Sequence, residues 1–400
     1  MTDTVATRPP HRQNRVKYLL NHPLSTYYLI GGSSVLLLLL GLVMVLSASS
    51  IESYKIFGSS YTLAQRQALF GVIGLIGLYF TARTSVQFWR GMARWIFLGA
   101  GLMLVIVLVI GVSVAGQRNW IEIFGPFRLQ PSEFAKFALV VWGADQLART
   151  KSYHVSLRQL LVPLLPVALC FMVLVLLEGD FGNTLMLAAI TCGMLFAAGA
   201  PWRFFASFAG VGVLGVWVLT LAAPYRMERF TSWLNPNSDP LGVGWQLSQG
   251  HFALGTGGVL GVGLGGSREK WGALPEAHTD FIFSVIGEEL GLVGTLSVLL
   301  LFAVLAFAVF RLTRTTSDPF VRLASAGVGS WIVVQAIVNI GAVLGLMPIT
   351  GVPLPFVSYG GSSLIPTLAA IGMLLAFARN EPGARQTLRR RATARSLARR

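Results

Sequence analysis

Runs of about 18 mainly apolar residues follow one another along most of this chain. They lie near residues 27–48, 66–82, 92–114, 132–148, 160–177, 183–200, 203–223, 281–311, 323–346 and 362–379. A helix of that length spans the hydrocarbon core of a bilayer, and a helix satisfies its own backbone hydrogen bonds where water is absent. The chain therefore reads as an all-α polytopic membrane protein of about ten transmembrane helices. Composition excludes the soluble alternative. Only 12% of residues are charged, about half the share of a soluble domain, and 16 acidic residues in 400 cannot cover a soluble surface of this size.

The basic residues set the orientation. With the N-terminus in the cytoplasm, 22 of the 31 Lys and Arg fall on the inner side and eight on the outer side. Both termini are then expected to be cytoplasmic, by the positive-inside rule. Residues 1–24 form a basic N-terminal segment, residues 25–380 the membrane domain, and residues 381–400 an Arg-rich tail with affinity for anionic headgroups. The net charge of +15 is thus a topology signal, and no nucleic acid is expected as a partner. Cys170 and Cys192 lie inside apolar runs and offer no disulfide framework.

Nine of the 16 acids face outward or sit at the outer boundary, which directs the search for chemistry to that side. The one long connection, 224–280 between spans seven and eight, is extracellular in this topology. It holds Trp233, Trp245 and Trp271 with many glycines and is expected to lie against the membrane. Its Gly-rich stretch 261–266 matches a dinucleotide fingerprint only literally, because no strand–helix–strand unit surrounds it. The glycines of 255–266 are expected to let backbone approach a membrane ligand closely.

Charged residues within spans are costly and are by default functional or tightly paired. Glu133 and Lys136 share a helix face at the start of the fourth span. They form either a structural ion pair or a site in which Lys136 meets an anionic ligand. Arg118 and Arg128 flank that segment. Asp180, in the polar break Glu178-Gly179-Asp180, can cap the sixth span, and Glu288 and Glu289 need partners inside the eighth. Asp280 stands where the long loop enters the eighth span, as either an N-cap or a partly desolvated general base. The uncharged, proline-rich stretch 346–363 suits a re-entrant turn lining a cavity.

At these residues the chain resembles the SEDS family of bacterial cell-wall polymerases. The motifs are Gln-Pro-Ser-Glu-Phe-Ala-Lys at 130–136, Leu-Pro-Glu-Ala-His-Thr-Asp at 274–280 with its continuation to 291, and Gly-Val-Pro-Leu-Pro-Phe-Val-Ser-Tyr-Gly-Gly-Ser-Ser at 351–363. Two departures stand out. The family's Gly-Ala-x-Arg-Trp is Ala-Gly-Gln-Arg-Asn-Trp at 115–120, and its Gln-Pro-Asp is Glu-Gly-Asp at 178–180. The resemblance implies a SEDS fold and a glycosyltransferase that joins the disaccharide units of lipid II, nearer the division branch than the elongation branch. A lipid II flippase is the competing class. The resemblance implies Asp280 as the catalytic residue. Arg118, Glu133, Lys136, Asp180, Glu276, His278 and Ser358 are implied to line the lipid pyrophosphate and sugar, with a divalent cation as a candidate helper. The partners implied are a class B penicillin-binding protein and other membrane proteins of the division machinery, at the septum.

Overall fold

A computed structural model describes residues 22–114, 116–124, 127–150, 156–221, 227, 231–235, 242–381 and 383–384. The basic N-terminal segment and the Arg-rich tail lie almost wholly outside these residues. All ten expected spans are helices: α1 (Ser25–Phe57), α2 (Thr62–Thr81), α3 (Val86–Ile110), α4 (Pro131–Ala148), α5 (Leu157–Leu177), α6 (Phe181–Ala197), α7 (Trp202–Leu221), α9 (Ile282–Thr315), α10 (Pro319–Val343) and α11 (Gly361–Arg379). An additional helix, α8 (Val243–Gly257), lies in the long loop. Seven of the ten, α1, α2, α3, α5, α9, α10 and α11, are long and apolar enough to cross a membrane by length and composition.

Helix α4 occupies the centre, packed against α3, α5, α6, α10 and α11. Burial on most sides explains how it tolerates Glu133, Lys136 and Asp145, all of them buried. Protein, not lipid, surrounds them. Helices α2 and α3 bury far less of themselves and present apolar side chains outward. The stretch 344–360 is irregular, yet Val352, Leu354, Phe356 and Val357 are buried. It crosses α1 at Gly41, where a Cβ would lie 2.4 Å from the Phe356 carbonyl oxygen. Non-helical backbone at this depth survives because protein covers it.

One feature departs from expectation. The third span ends at Ile110 and not near residue 114, because residues 112–129 form a three-stranded antiparallel sheet: β1 (Val112–Val114), β2 (Gln117–Phe124) and β3 (Phe127–Leu129). Val112 pairs with Trp120 and Ile121 with Leu129. Within the glycine-rich stretch 255–266, Gly257 and Gly261 lie against the backbone of α9. Helix α9 breaks at Gly291, whose φ of 66° and ψ of −160° are non-helical. The bonds lost there are replaced by the loop. The amides of Val262 and Gly263 donate to the carbonyls of Glu288 (2.9 Å) and Glu289 (3.0 Å), and those of Leu292 and Val293 donate to Gly258 (3.0 Å) and Val259 (3.3 Å).

This stitching leaves no room for a side chain at Gly261. A Cβ there would lie 2.2 Å from the Glu289 carbonyl oxygen, and its φ of 78° is left-handed. Gly261→Ala is expected to cost about 2 kcal/mol or more, read as a lowered melting midpoint of the purified protein in detergent. An unchanged midpoint would contradict the stitched-break reading.

Candidate active site

The segment before α9 is a tight turn built by its own residues. The amides of Thr279 (3.2 Å) and Phe281 (3.1 Å) donate to the carbonyl of Glu276, whose φ is 52°, and the Thr279 hydroxyl donates to the Glu276 carboxylate. The turn ends at Asp280, half-buried and separated from the first residue of α9 by the N-cap Phe281.

Three successive carbonyls of this turn are held from outside it. His278 accepts from the Tyr359 amide at 2.9 Å, Thr279 from the Ser358 hydroxyl at 2.6 Å, and Asp280 from the Asn339 side-chain amide at 2.9 Å. Asn339 also donates to the Val352 carbonyl at 2.9 Å. Ser358 in turn accepts from the Leu354 amide at 2.8 Å. These bonds fix the backbone that carries the Asp280 carboxylate.

Lys136 is fully buried. Its Nζ lies 2.8 Å from either carboxylate oxygen of Glu133, donates to Gln335 Oε1 at 3.2 Å, and sits 5.1 Å from the Trp331 ring centre. Trp331 donates to the same Gln335 oxygen at 2.8 Å, and Gln335 donates to the Pro353 carbonyl at 2.8 Å. Gln335 and Asn339 stand four residues apart on α10, so their Cβ atoms are about 6 Å apart on one face. One turn of α10 therefore holds Lys136 with one side chain and the Asp280 backbone with the next. Neither Gln335 nor Asn339 was among the expected site residues.

The other expected residues divide. Asp180 caps α6, its Oδ1 accepting from the Asn183 amide at 2.9 Å. Its Oδ2 accepts from the side chains of Asn119 (3.2 Å), Gln130 (2.9 Å) and Asn183 (2.9 Å), which ties β2, α4 and α6 together. Arg118 donates to the carbonyls of Gly111 (2.9 Å), Leu108 (3.3 Å) and Val109 (3.3 Å), closing the C-terminus of α3. Meeting a pyrophosphate would require it to exchange those bonds. Arg128 lies 3.0 Å from Glu122 on the sheet.

His278 is buried with Nδ1 3.2 Å from Glu52 of α1, and its ring centre lies 5.4 Å from that of Tyr359. Arg66 of α2 is near enough for its charge to act on the Tyr359 phenol. Burial pushes the Tyr359 phenol above its ordinary range and outweighs the opposing pull of Arg66, so the phenol keeps its proton. Glu288 and Glu289 find their partners in the loop. Lys270 Nζ lies 2.9 Å from Glu289, Ser47 also donates to Glu289 (2.7 Å), and Ser267 with the Arg268 amide (2.8 Å) holds Glu288. Those acids anchor the loop to α9.

Among the described residues no three of His, Cys, Asp and Glu converge to hold a metal ion.

Fold and site together define a multi-pass membrane protein with its buried polar groups joined by an irregular loop and one turn of α10. The family described as FtsW, RodA and SpoVE, cell cycle proteins, matches residues 29–382, and the chain belongs to it. A curated relative, the probable peptidoglycan glycosyltransferase FtsW of Mycobacterium tuberculosis, is 43% identical over 96% of this chain and 74% of its own. Stage V sporulation protein E of Bacillus subtilis is 40% identical over 86% of this chain and 94% of its own. Among solved structures, the rod shape determining protein RodA of Thermus thermophilus aligns with a TM-score of 0.65 at 28% identity, covering 91% of this chain and 98% of that one. A chain from a peptidoglycan synthase complex that coordinates polymerization and crosslinking aligns with a TM-score of 0.71 at 29% identity, covering 91% and 99%.

Two predictions follow from this geometry. Lys136→Met strands Glu133 in the interior and is expected to cost about 3–5 kcal/mol, with most of the melting midpoint regained in Glu133→Gln/Lys136→Met. A double variant no more stable than the single one would contradict the pair as described. Glu178 is buried with no hydrogen-bond partner for either carboxylate oxygen among the described residues. Burial, and then the charge of Asp180, push it from 4.5 up to about 9. An acid raised in the folded state holds its proton between those two values, so its contribution is intact below about 4.5 and is lost as pH rises towards about 9. The melting midpoint should fall across that window and fall less in Glu178→Gln. An identical slope in the variant would contradict it.

Proposed function

We propose that the chain is a peptidoglycan glycosyltransferase, polymerising lipid II at the outer face of the cytoplasmic membrane during cell division, with Asp280 as general base. The observation that supports this reading best is the triple anchoring of the carbonyls of His278, Thr279 and Asp280. It is the kind of rigid support that a positioned catalytic group requires. The relatives named FtsW, more similar in sequence than the RodA structures, favour the division role. The 22-to-8 distribution of basic residues favours two cytoplasmic termini.

In the reaction, the 4-hydroxyl oxygen of the acceptor's N-acetylglucosamine forms a bond to the anomeric carbon of the donor sugar. The bond from that carbon to the lipid pyrophosphate breaks, and its electron pair leaves with the pyrophosphate. Asp280 takes the hydroxyl proton. A single displacement inverts the anomeric centre, as in inverting glycosidases. Positive charge beside the departing pyrophosphate stabilises it. Lys136 and Arg118 are assigned to that role, with Glu133, Asp180, Glu276, His278 and Ser358 shaping the surroundings. A class B penicillin-binding protein, as the transpeptidase partner, cross-links the strand, and other division proteins bring the pair to the septum.

The test is polymer formation from lipid II supplied in detergent to purified protein with its transpeptidase partner, wild type beside Asp280→Asn. The wild type is expected to make glycan strands and the variant to lose at least about a thousandfold of the rate, the size of a removed general base with its electrostatic share. Failure of the wild type to polymerise lipid II without a membrane to cross would point to a flippase. Near wild-type product from the folded variant would remove Asp280 from the chemistry.

A further inference from the structure

The far end of α4 holds a second polar cluster with no part in the site above. Asp145, 2% exposed, is clasped by two arginines: Arg90 Nε of α3 lies 3.1 Å from Oδ1, and Arg149 Nε, beyond the end of α4, lies 2.8 Å from Oδ2. These three line a cavity of about 340 Å³ together with Arg94, Trp142 and Gln146. Arg94 sits over the Trp95 ring at 5.0 Å, and among the described residues no carboxylate pairs with it. Three guanidinium groups against one carboxylate leave the cavity with two positive charges in excess. Because Lys136 and Arg149 are thirteen positions apart, about 20 Å of helix lies between this cavity and the Lys136 pair.

We infer that this cavity binds the phosphate of an anionic phospholipid headgroup, such as phosphatidylglycerol or cardiolipin, from the cytoplasmic leaflet. The assignment of leaflet rests on the orientation given above and is independent of the role of Asp280. Guanidinium groups match a phosphate diester in charge and in forked donor geometry. The cavity is large enough for the phosphate and its glycerol, since one water takes about 30 Å³. Asp145 holds two of the guanidinium groups in place while leaving the surplus charge uncancelled. A lipid is favoured over a free anion by what adjoins the cavity. Trp95, Leu98, Leu102, Val105 and Val109, each exposed, recur at helical spacing along α3 and form an apolar row starting beside Arg94. Acyl chains can lie along that row while the headgroup occupies the arginines. Basic pockets between transmembrane helices on the cytoplasmic side are suited to such headgroups.

Native mass spectrometry of the full chain, released from nanodiscs of phosphatidylglycerol, cardiolipin and phosphatidylethanolamine, tests this directly. The wild type is expected to retain anionic lipid adducts in preference to phosphatidylethanolamine. Arg94→Glu leaves both partners of Asp145 in place, so it isolates the headgroup contact from folding. It is expected to lose about tenfold of the anionic adduct. The triple variant Arg90→Gln/Arg94→Gln/Arg149→Gln should lose more, with Asp145→Asn added to spare a stranded charge. Inorganic phosphate at millimolar concentration should not displace the lipid. Equal adducts in wild type and Arg94→Glu, adducts with no preference for anionic lipid, or displacement by inorganic phosphate would each overturn the assignment.

Discussion

The architecture depends on one constraint: polar groups placed inside a helical bundle must find partners within the protein. An unpaired backbone carbonyl or a lone buried charge there costs a substantial part of the stability a domain has to spare. Where α10 passes the irregular 344–360 stretch, Gln335 and Asn339 meet that demand at four places. They satisfy Pro353, Val352 and the Asp280 backbone, and they complete the shell of Lys136. The same bonds that allow an irregular loop to exist at this depth also set the position of the Asp280 turn. Stability and positioning are one set of contacts.

The same logic explains the break in α9. A helix interrupted at Gly291 leaves amides and carbonyls unpaired, and the loop's glycines bring another backbone near enough to replace the lost bonds. Lys270 and Ser267 then neutralise and hold the two adjacent carboxylates that follow from the sequence around the break. The long loop is therefore fastened to α9 at two levels, by backbone and by buried charge, a short distance along the chain from Asp280.

The spans were legible because hydrophobic runs and basic residues report the bilayer directly. The sheet at residues 112–129 was not legible because its first strand, Val112–Val114, continues the apolar run of the third span. The glycines of 255–266 were legible as close-approach positions. That the backbone of α9 approaches at Gly257 and Gly261 goes with the break at Gly291, which a lone glycine in an apolar run does not announce. Gln335 and Asn339 were visible as amides four residues apart within a span, a spacing that places both on one face, and they carried no charge to draw notice. Lys136 and Asp280 were named from charge at the membrane boundary and from the family motif. Their link through α10 is a tertiary fact that spacing along the chain cannot supply.

On the function proposed above, the charge of the Asp280 carboxylate, and not merely its shape, performs the chemistry. The most direct measurement compares lipid II polymerisation by purified Asp280→Glu and Asp280→Asn at matched folding and partner concentration. Glutamate keeps a proton acceptor displaced by one methylene, whereas asparagine keeps the shape and loses the base. The account predicts reduced but measurable glycan strands from Asp280→Glu and none above background from Asp280→Asn. Product from Asp280→Asn equal to or greater than that from Asp280→Glu would contradict it.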